Sequence, residues 1–306
     1  MTVSSENVQR GFEVNRTYEP YSNDPDYIAG NRGFIGELDL DVRGRVLDLA
    51  CGVGTLSELM WEVNPRLEIV GVDLSHGALL IARERLRTSL RRRQEEHADD
   101  TGAARGEYRR ARLVAASADA VPLADSSFDR VIMGHSIHML ADEDRLLEEV
   151  RRVLRPGGLF AFNTSFYAGT FVPGTESIYH DWIKDALAFM QRRDEELRDR
   201  GEPGIRRARG RVPPAFAKPW PSPEEWRARL SQHGFSARRV FVRTVRLTQY
   251  SFETIGAYAG FAEVMLSGYP VETACEALQA AAGVTLARAE IESVPRNWLE
   301  FAAERS

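Results

Sequence analysis

From Arg45 onward the chain alternates short apolar runs with longer stretches whose apolar residues recur at helical spacing. "RVLDLA" reads as a buried strand, and "TLSELMWEV" behind it reads as a helix. "LEIVGVD" predicts a second strand bounded by turn residues. "SHGALLIARERLRTSL" predicts a helix, with Leu79, Ala82, Leu86 and Leu90 at helical spacing and Ser75 as its cap. "ARLVAAS" and "FDRVIMGHS" supply strands three and four, with Asp129 ordering a turn at the start of the latter. A helix over 142–154 follows, with Leu146, Leu147, Val150, Val153 and Leu154 on one face, and "RPGG" stops it. "LFAFNTS" is the fifth strand. Strands separated by helices in this rhythm predict an α/β fold built on a doubly wound, mostly parallel sheet.

After Ser165 the rhythm breaks. Residues 166–222 read as an insertion with a helix near 176–200 and a proline-rich exit, "RVPPAFAKPWPSP". "SPEEWRARLSQHGF" predicts a capped helix ending at Gly234, and "ARRVFVRTVRL" a long alternating strand. Helical stretches over about 252–267 and 271–290 precede a short last strand near "PRNWLEFAA", which completes a seven-stranded sheet. The expected organisation is a helical cover segment over 1–44 and a Rossmann-like domain over 45–165 and 223–306. Helical insertions over 166–222 and 250–292 complete it as a lid that binds substrate. The charged stretch 91–110 has no apolar face and reads as a solvated helix end and loop.

Composition narrows the partners. The 306 residues carry a net charge of −5 and 43% hydrophobic residues, so a sizeable core forms and general affinity for nucleic acid or anionic membranes is not expected. Two cysteines are too few for a disulfide framework. No secretory leader and no membrane-spanning apolar run is visible, which points to a soluble, cytoplasmic protein acting on a small molecule. Oligomeric state is not readable, and a homo-oligomer stays open.

The chemistry concentrates in "RVLDLACGVGT". A strand ending near Asp48 runs through Ala50, Gly52 and Gly54 into a helix, a loop in which backbone can approach a ligand closely. Nineteen residues after Gly54 the next strand ends in Asp73, placed to accept both hydrogen bonds of a ribose diol. A dinucleotide loop requires Gly or Ala where this chain has Ser57, and Asp48 suits a cationic ammonium or sulfonium better than a pyrophosphate. Cys51, with no paired Cys or His, reads as a small packing residue.

"VLDLACGVGT", "IVGVDLS", "ASADAVPLADSSFDRVIMG" and "EEVRRVLRPGG", in this order and spacing, resemble a class I S-adenosylmethionine-dependent methyltransferase of the small-molecule type. The resemblance is close over about 40–165 and departs at Ala50, where the family usually has Gly. It implies S-adenosylmethionine as cofactor, with S-adenosylhomocysteine as product. Asp48, Ala50, Gly52 and Gly54 would then surround the methionine part. Asp73 would hold the ribose, with Leu74 against the adenine, and Ala118, Asp119 and Ala120 would border the adenine amino group. His135 would lie near the sulfonium.

For the acceptor, His135 and His138 of "GHSIHML" are the candidate catalytic bases. No acidic metal-binding set stands at this position, so no metal is expected. Tyr21, Phe166, Phe171, Tyr179 and Trp182 are the candidate substrate-binding residues, an aromatic pocket for a lipophilic or aromatic specialised metabolite. One form of that reading is C-methylation of a terpenoid or prenyl alkene, with cation–π support for a carbocation. O- or N-methylation with a His base, a dinucleotide-dependent oxidoreductase and a non-transferring cofactor binder stay open. Arg206, Arg207, Arg209 and Arg211 read either as a solvated loop or as a grip for an anionic substrate.

Overall fold

The computed structural model describes residues 13–14, 16–40, 44–96, 111–210 and 219–306. Arg211, residues 97–110 of the charged stretch and most of the proline-rich exit lie outside them.

The described residues form one seven-stranded sheet in the order β3-β2-β1-β4-β5-β7-β6. Its strands are β1 (Arg45–Leu49), β2 (Glu68–Asp73), β3 (Arg112–Ala115), β4 (Phe128–Gly134), β5 (Leu154–Thr164), β6 (Phe235–Thr248) and β7 (Ser293–Arg305). The first five pair in parallel, and β7 runs antiparallel to both β5 and β6. This is the expected doubly wound sheet with an antiparallel edge. The chain winds in opposite directions from β1 and β4, so a crevice opens where their C-terminal ends diverge.

Period-two alternation along the strands feeds two cores. Leu47, Leu49, Val131, Met133, Phe160, Phe162, Leu299 and Phe301 face one side. There they pack on α5 (Glu143–Val153) and α7 (Pro223–Gln232). Val46, Ile69, Ile132, Ala161 and Ala302 face the other. They meet α2 (Pro25–Gly36), α3 (Thr55–Val63) and α4 (His76–Glu96), behind the short α1 (Glu19–Ser22). The apolar stripe read on 142–154 is the face α5 buries, although Leu154 already belongs to β5. Ser75 caps α4 as expected, accepting from the Ala78 amide at 3.2 Å. Ser222 and Glu225 form a reciprocal capping box on α7. Asp129 accepts the Arg45 amide at 2.8 Å, which ties the start of β4 to that of β1.

A third core lies in the helical layer made by α6 (Glu176–Asp199), α8 (Gln249–Ala257), α9 (Ala259–Met265) and α10 (Val271–Arg288). Three details differ from the sequence reading. The helix expected over 252–267 is two helices, because Tyr258 turns extended at the junction and packs its ring 5.0 Å from Tyr18. The last strand is long rather than short, since β7 is paired on both edges and each neighbour extends it. "RPGG" does end a helix, but it then bulges inside β5: Leu154 pairs with Phe128 before the bulge and Leu159 with Arg130 after it.

What positions the site is the approach of α2 to the sheet. A Cβ on Gly30 would stand 2.5 Å from the Trp298 ring, and one on Gly33 2.5 Å from the Arg243 guanidinium. Arg243 is itself held in a two-pronged pair with buried Glu300. Glycines three apart on one helix face therefore let the backbone lie against a tryptophan and a fixed ion pair. Gly30→Ala should lower stability by about 1–3 kcal/mol through overpacking, measured by urea unfolding, whereas Gly36→Ala, with open space at its Cβ, should not.

Candidate functional site at the crevice of the sheet

Asp48 is the next-to-last residue of β1, and the chain then turns through Ala50, Gly52 and Gly54 into α3, all three in the left-handed region, with φ of 56°, 52° and 82°. Glycine adopts that conformation freely; for an alanine it costs about 1–2 kcal/mol. The turn therefore tolerates Ala50 under local strain rather than by fit. A Cβ on Gly52 would meet nothing within 4 Å, so the loop faces open room there. At Gly54 a Cβ would press on Ala82 at 3.2 Å, so this glycine serves packing between α3 and α4.

Two carboxylates flank the turn. Asp73, at the end of β2, accepts the Gly52 amide on Oδ2 and the Ser75 amide on Oδ1, each at 2.8 Å. Burial raises its pKa while these two bonds oppose the rise. Asp48 is buried and accepts the Ser57 hydroxyl at 2.5 Å. Burial pushes its pKa up to about 7, the Ser57 bond opposes this, and the neighbouring Asp73 charge adds to it. The residue that breaks the dinucleotide pattern is thus the one that holds Asp48. The arrangement would welcome a cation, which would stabilise the ionised form of Asp48.

Beyond β2, Leu74 is 73% exposed, an apolar side chain that the protein's own packing does not use. The Ala116 amide bonds the Asp73 carbonyl, so the turn Ser117–Ala120 lies beside it. Within that turn Ala118 is buried, Ala120 is exposed, and Asp119 accepts the Ser117 hydroxyl at 2.5 Å. The open room above Gly52, the polar ribose-sized edge at Asp73 and the exposed apolar Leu74 together fit a nucleoside-bearing cofactor.

At the end of β4, His135 has φ 48°. Its ring lies 4.2 Å from Trp298 and 5.4 Å from Tyr27, and its Nε2 is shielded from solvent with no hydrogen-bond partner. Burial, with a smaller push from the Arg296 charge, lowers its pKa to about 3, so the imidazole is neutral. Tyr27 links the two halves of the site, because it touches His135 and lies close enough to Asp48 to feel that carboxylate. The Tyr21 ring lies tilted 4.8 Å from that of Tyr27, and Tyr18 donates to the Tyr27 hydroxyl at 3.0 Å. Asn31 and Asn163 sit beneath: Asn163 donates to Asn31 at 3.0 Å and accepts the His135 amide at 3.1 Å.

The other candidates divide. His138 stacks on Phe166 at 3.9 Å with its Nδ1 3.4 Å from the Thr164 hydroxyl. Phe171 and Tyr179 lie 5.1 Å apart and face Arg296. Trp182 is a correction: it is 3% exposed, donates to the Leu278 carbonyl at 2.8 Å, and packs on Phe252 and Phe261 in the core of the helical layer. It is closed to a ligand because the layer needs a core of its own. Arg206, Arg207 and Arg209 are exposed, with Arg207 over the Tyr269 ring. Sequence reading passed over Asn31, Asn163, Arg296 and Trp298. Asn31 follows Tyr27 by one helical turn, but nothing local says which surface that turn meets.

Residues 47–162 match the family model described as a methyltransferase domain. The chain is 32% identical over 156 residues to the ubiquinone/menaquinone biosynthesis C-methyltransferase UbiE of Acidiphilium cryptum, covering 51% of this chain and 55% of that protein. It is likewise 32% identical over 156 residues to methyltransferase GfsG of Streptomyces halstedii, covering 50% of each. The chain thus spans about half the length of the curated relatives it matches. Among solved structures, the (4+2)-cyclase SpnF shares the fold with a TM-score of 0.50 at 18% identity, over 91% of this chain and 81% of that one. Glycine turn, paired carboxylates and sheet order agree with these matches, and residues 47–162 carry a methyltransferase domain.

Proposed function

We propose that the protein transfers the methyl group of S-adenosylmethionine to a small lipophilic or aromatic acceptor of specialised metabolism. The observation that carries this reading is Tyr27. It joins the Asp48 side of the crevice to an aromatic pocket around His135, so a ligand over Gly52 and an acceptor beside His135 would share one wall. When bound, S-adenosylmethionine supplies an electrophilic methyl group on a sulfonium, already a good leaving group. The chain has to hold and align. Asp48, Ala50, Gly52 and Gly54 would hold the methionine end and Asp73 the ribose. Leu74, Ala118, Asp119 and Ala120 would border the adenine.

His135 suits alignment better than proton removal. An imidazole with a pKa near 3 is a weak base at neutral pH, yet its buried Nε2 can accept a hydrogen bond. That favours an acceptor which is nucleophilic without prior deprotonation, such as an electron-rich carbon. The rings of Tyr21, Tyr27 and Trp298 would stabilise positive charge developing there. The name of one relative, a C-methyltransferase, supports carbon as the acceptor atom. A second reading, O- or N-methylation, rests on His138, which Phe166 and Thr164 orient and which would serve as the base.

S-adenosylhomocysteine should bind the purified protein in calorimetry, and Gly52→Ala or Asp73→Ala should each weaken it by about tenfold or more, that is, ~1.4 kcal/mol. Unchanged affinity in both variants would sink the placement. The raised pKa of Asp48 gives a pH dependence with a definite sign. A cation binds the ionised form, so S-adenosylmethionine affinity should rise as pH climbs toward about 7 and level off above it. Asp48→Asn should flatten that slope. Transfer from a methyl-labelled donor to candidate acceptors separates the two chemistries. His138→Ala should cost about 100-fold or more in kcat if it is the base, and only a few-fold if carbon is methylated.

A further inference from the structure

Arg296 is the one strong charge at the pocket that methyl transfer as described leaves without a task. It lies on β7 two residues before Trp298, so both side chains project from the same face of the sheet. Its guanidinium lies over the Tyr179 ring at 4.9 Å, over Phe171 at 5.0 Å and near Phe166 at 5.9 Å. An isolated main-chain bridge between Phe171 and Arg296 fixes this lid loop against the strand. Nη2 donates to the Ser165 carbonyl at 3.1 Å.

Several arginines of the sheet have carboxylate partners, Arg243 with Glu300, Arg45 with Glu68 and Arg238 with Glu304, whereas Arg130 and Arg305 bond main-chain carbonyls. Among the described residues no carboxylate pairs with Arg296. Aromatic faces attract a guanidinium, but they replace a counter-ion only in part. The charge also reaches inward. At Tyr21 and Tyr179 it opposes the upward push of burial on the hydroxyls, and at His135 it adds to the effect of burial. A half-buried cation thus stands two residues from Trp298, whose ring lies 4.2 Å from that of His135 with its unpartnered Nε2.

Resting on the methyl-transfer reading, we propose that Arg296 binds an anionic group, a carboxylate or a phosphate, on the acceptor. The acceptor is then an amphipathic anion. Its charged end meets the Arg296 fork under Phe171 and Tyr179, and its lipophilic end reaches the Tyr27, Trp298 and His135 wall. A guanidinium offers parallel N–H donors that match either oxyanion. This gives the anion-binding role to a caged arginine at the crevice and not to Arg206, Arg207 and Arg209, which are exposed.

Three probes of matched shape test it on the full chain saturated with S-adenosylhomocysteine: cinnamate, cinnamyl phosphate and cinnamyl alcohol, titrated by calorimetry. At least one anion should bind about tenfold or more tighter than the alcohol, and the better anion identifies the source chemistry. The preference should vanish in Arg296→Met and return in part in Arg296→Lys, with S-adenosylhomocysteine affinity unchanged in both as the control for folding. Equal affinity for all three probes in the wild type, absence of binding included, overturns the proposal, as does a preference that survives Arg296→Met. Failure of S-adenosylhomocysteine to bind the wild type would overturn the cofactor reading beneath it instead.

Discussion

A chain of buried amides holds together the end of the sheet where β4 and β5 finish. Asn163, at the end of β5, donates to Asn31 on α2 and accepts the His135 amide at the end of β4, while Asn31 donates to the Tyr27 carbonyl. Both asparagines are fully buried. Leaving any one of these groups unpaired would cost about 1–3 kcal/mol, so the three elements lock in one arrangement. The lock also supports the left-handed backbone of His135, which neither neighbour would impose alone. With it, the segment before β1 packs against the ends of β4 and β5.

The lock works only because α2 can come close. Gly30 and Gly33 remove the side chains that would keep the helix away from Trp298 and Arg243. Asp24 then caps α2 through the Tyr27 amide and accepts the Ser251 hydroxyl of α8 at 2.9 Å, which carries the connection into the helical layer. The ends of β4 and β5, α2 and the helical layer are thus joined by hydrogen bonds across segments far apart in sequence. Trp182 belongs to the core of the helical layer, Tyr179 packs at its edge, and Phe166, Phe171 and Tyr179 surround Arg296.

Much of the fold was legible because its signals are local. The period-two runs of β1 to β5 and the helical stripe of α5 need only neighbours in sequence to be read. The glycine turn after β1 was legible for the same reason: Gly52 and Gly54 take left-handed backbone there, and Asp73 accepts the Gly52 amide. Ala50 shows the limit, since its identity alone does not reveal the left-handed φ it adopts. The break at Tyr258 and the full length of β7 were not legible, because each is set by a distant partner, Tyr18 in one case and β6 in the other.

Sequence by itself determined the class of sheet, the order of its strands along the chain and the donor side of the chemistry, all consequences of short-range periodicity and backbone freedom. Tertiary structure alone decided the surroundings of each aromatic side chain. Whether an aromatic residue fills a core depends on which surface meets it, and that seated Trp182 on Phe252 and Phe261 but left Phe171 against Arg296. It likewise made His135 a neutral, shielded ring, because burial between Tyr27 and Trp298 penalises the charged imidazole. Arg296 and Asn163 gained their roles the same way, from groups that only the folded chain brings within reach.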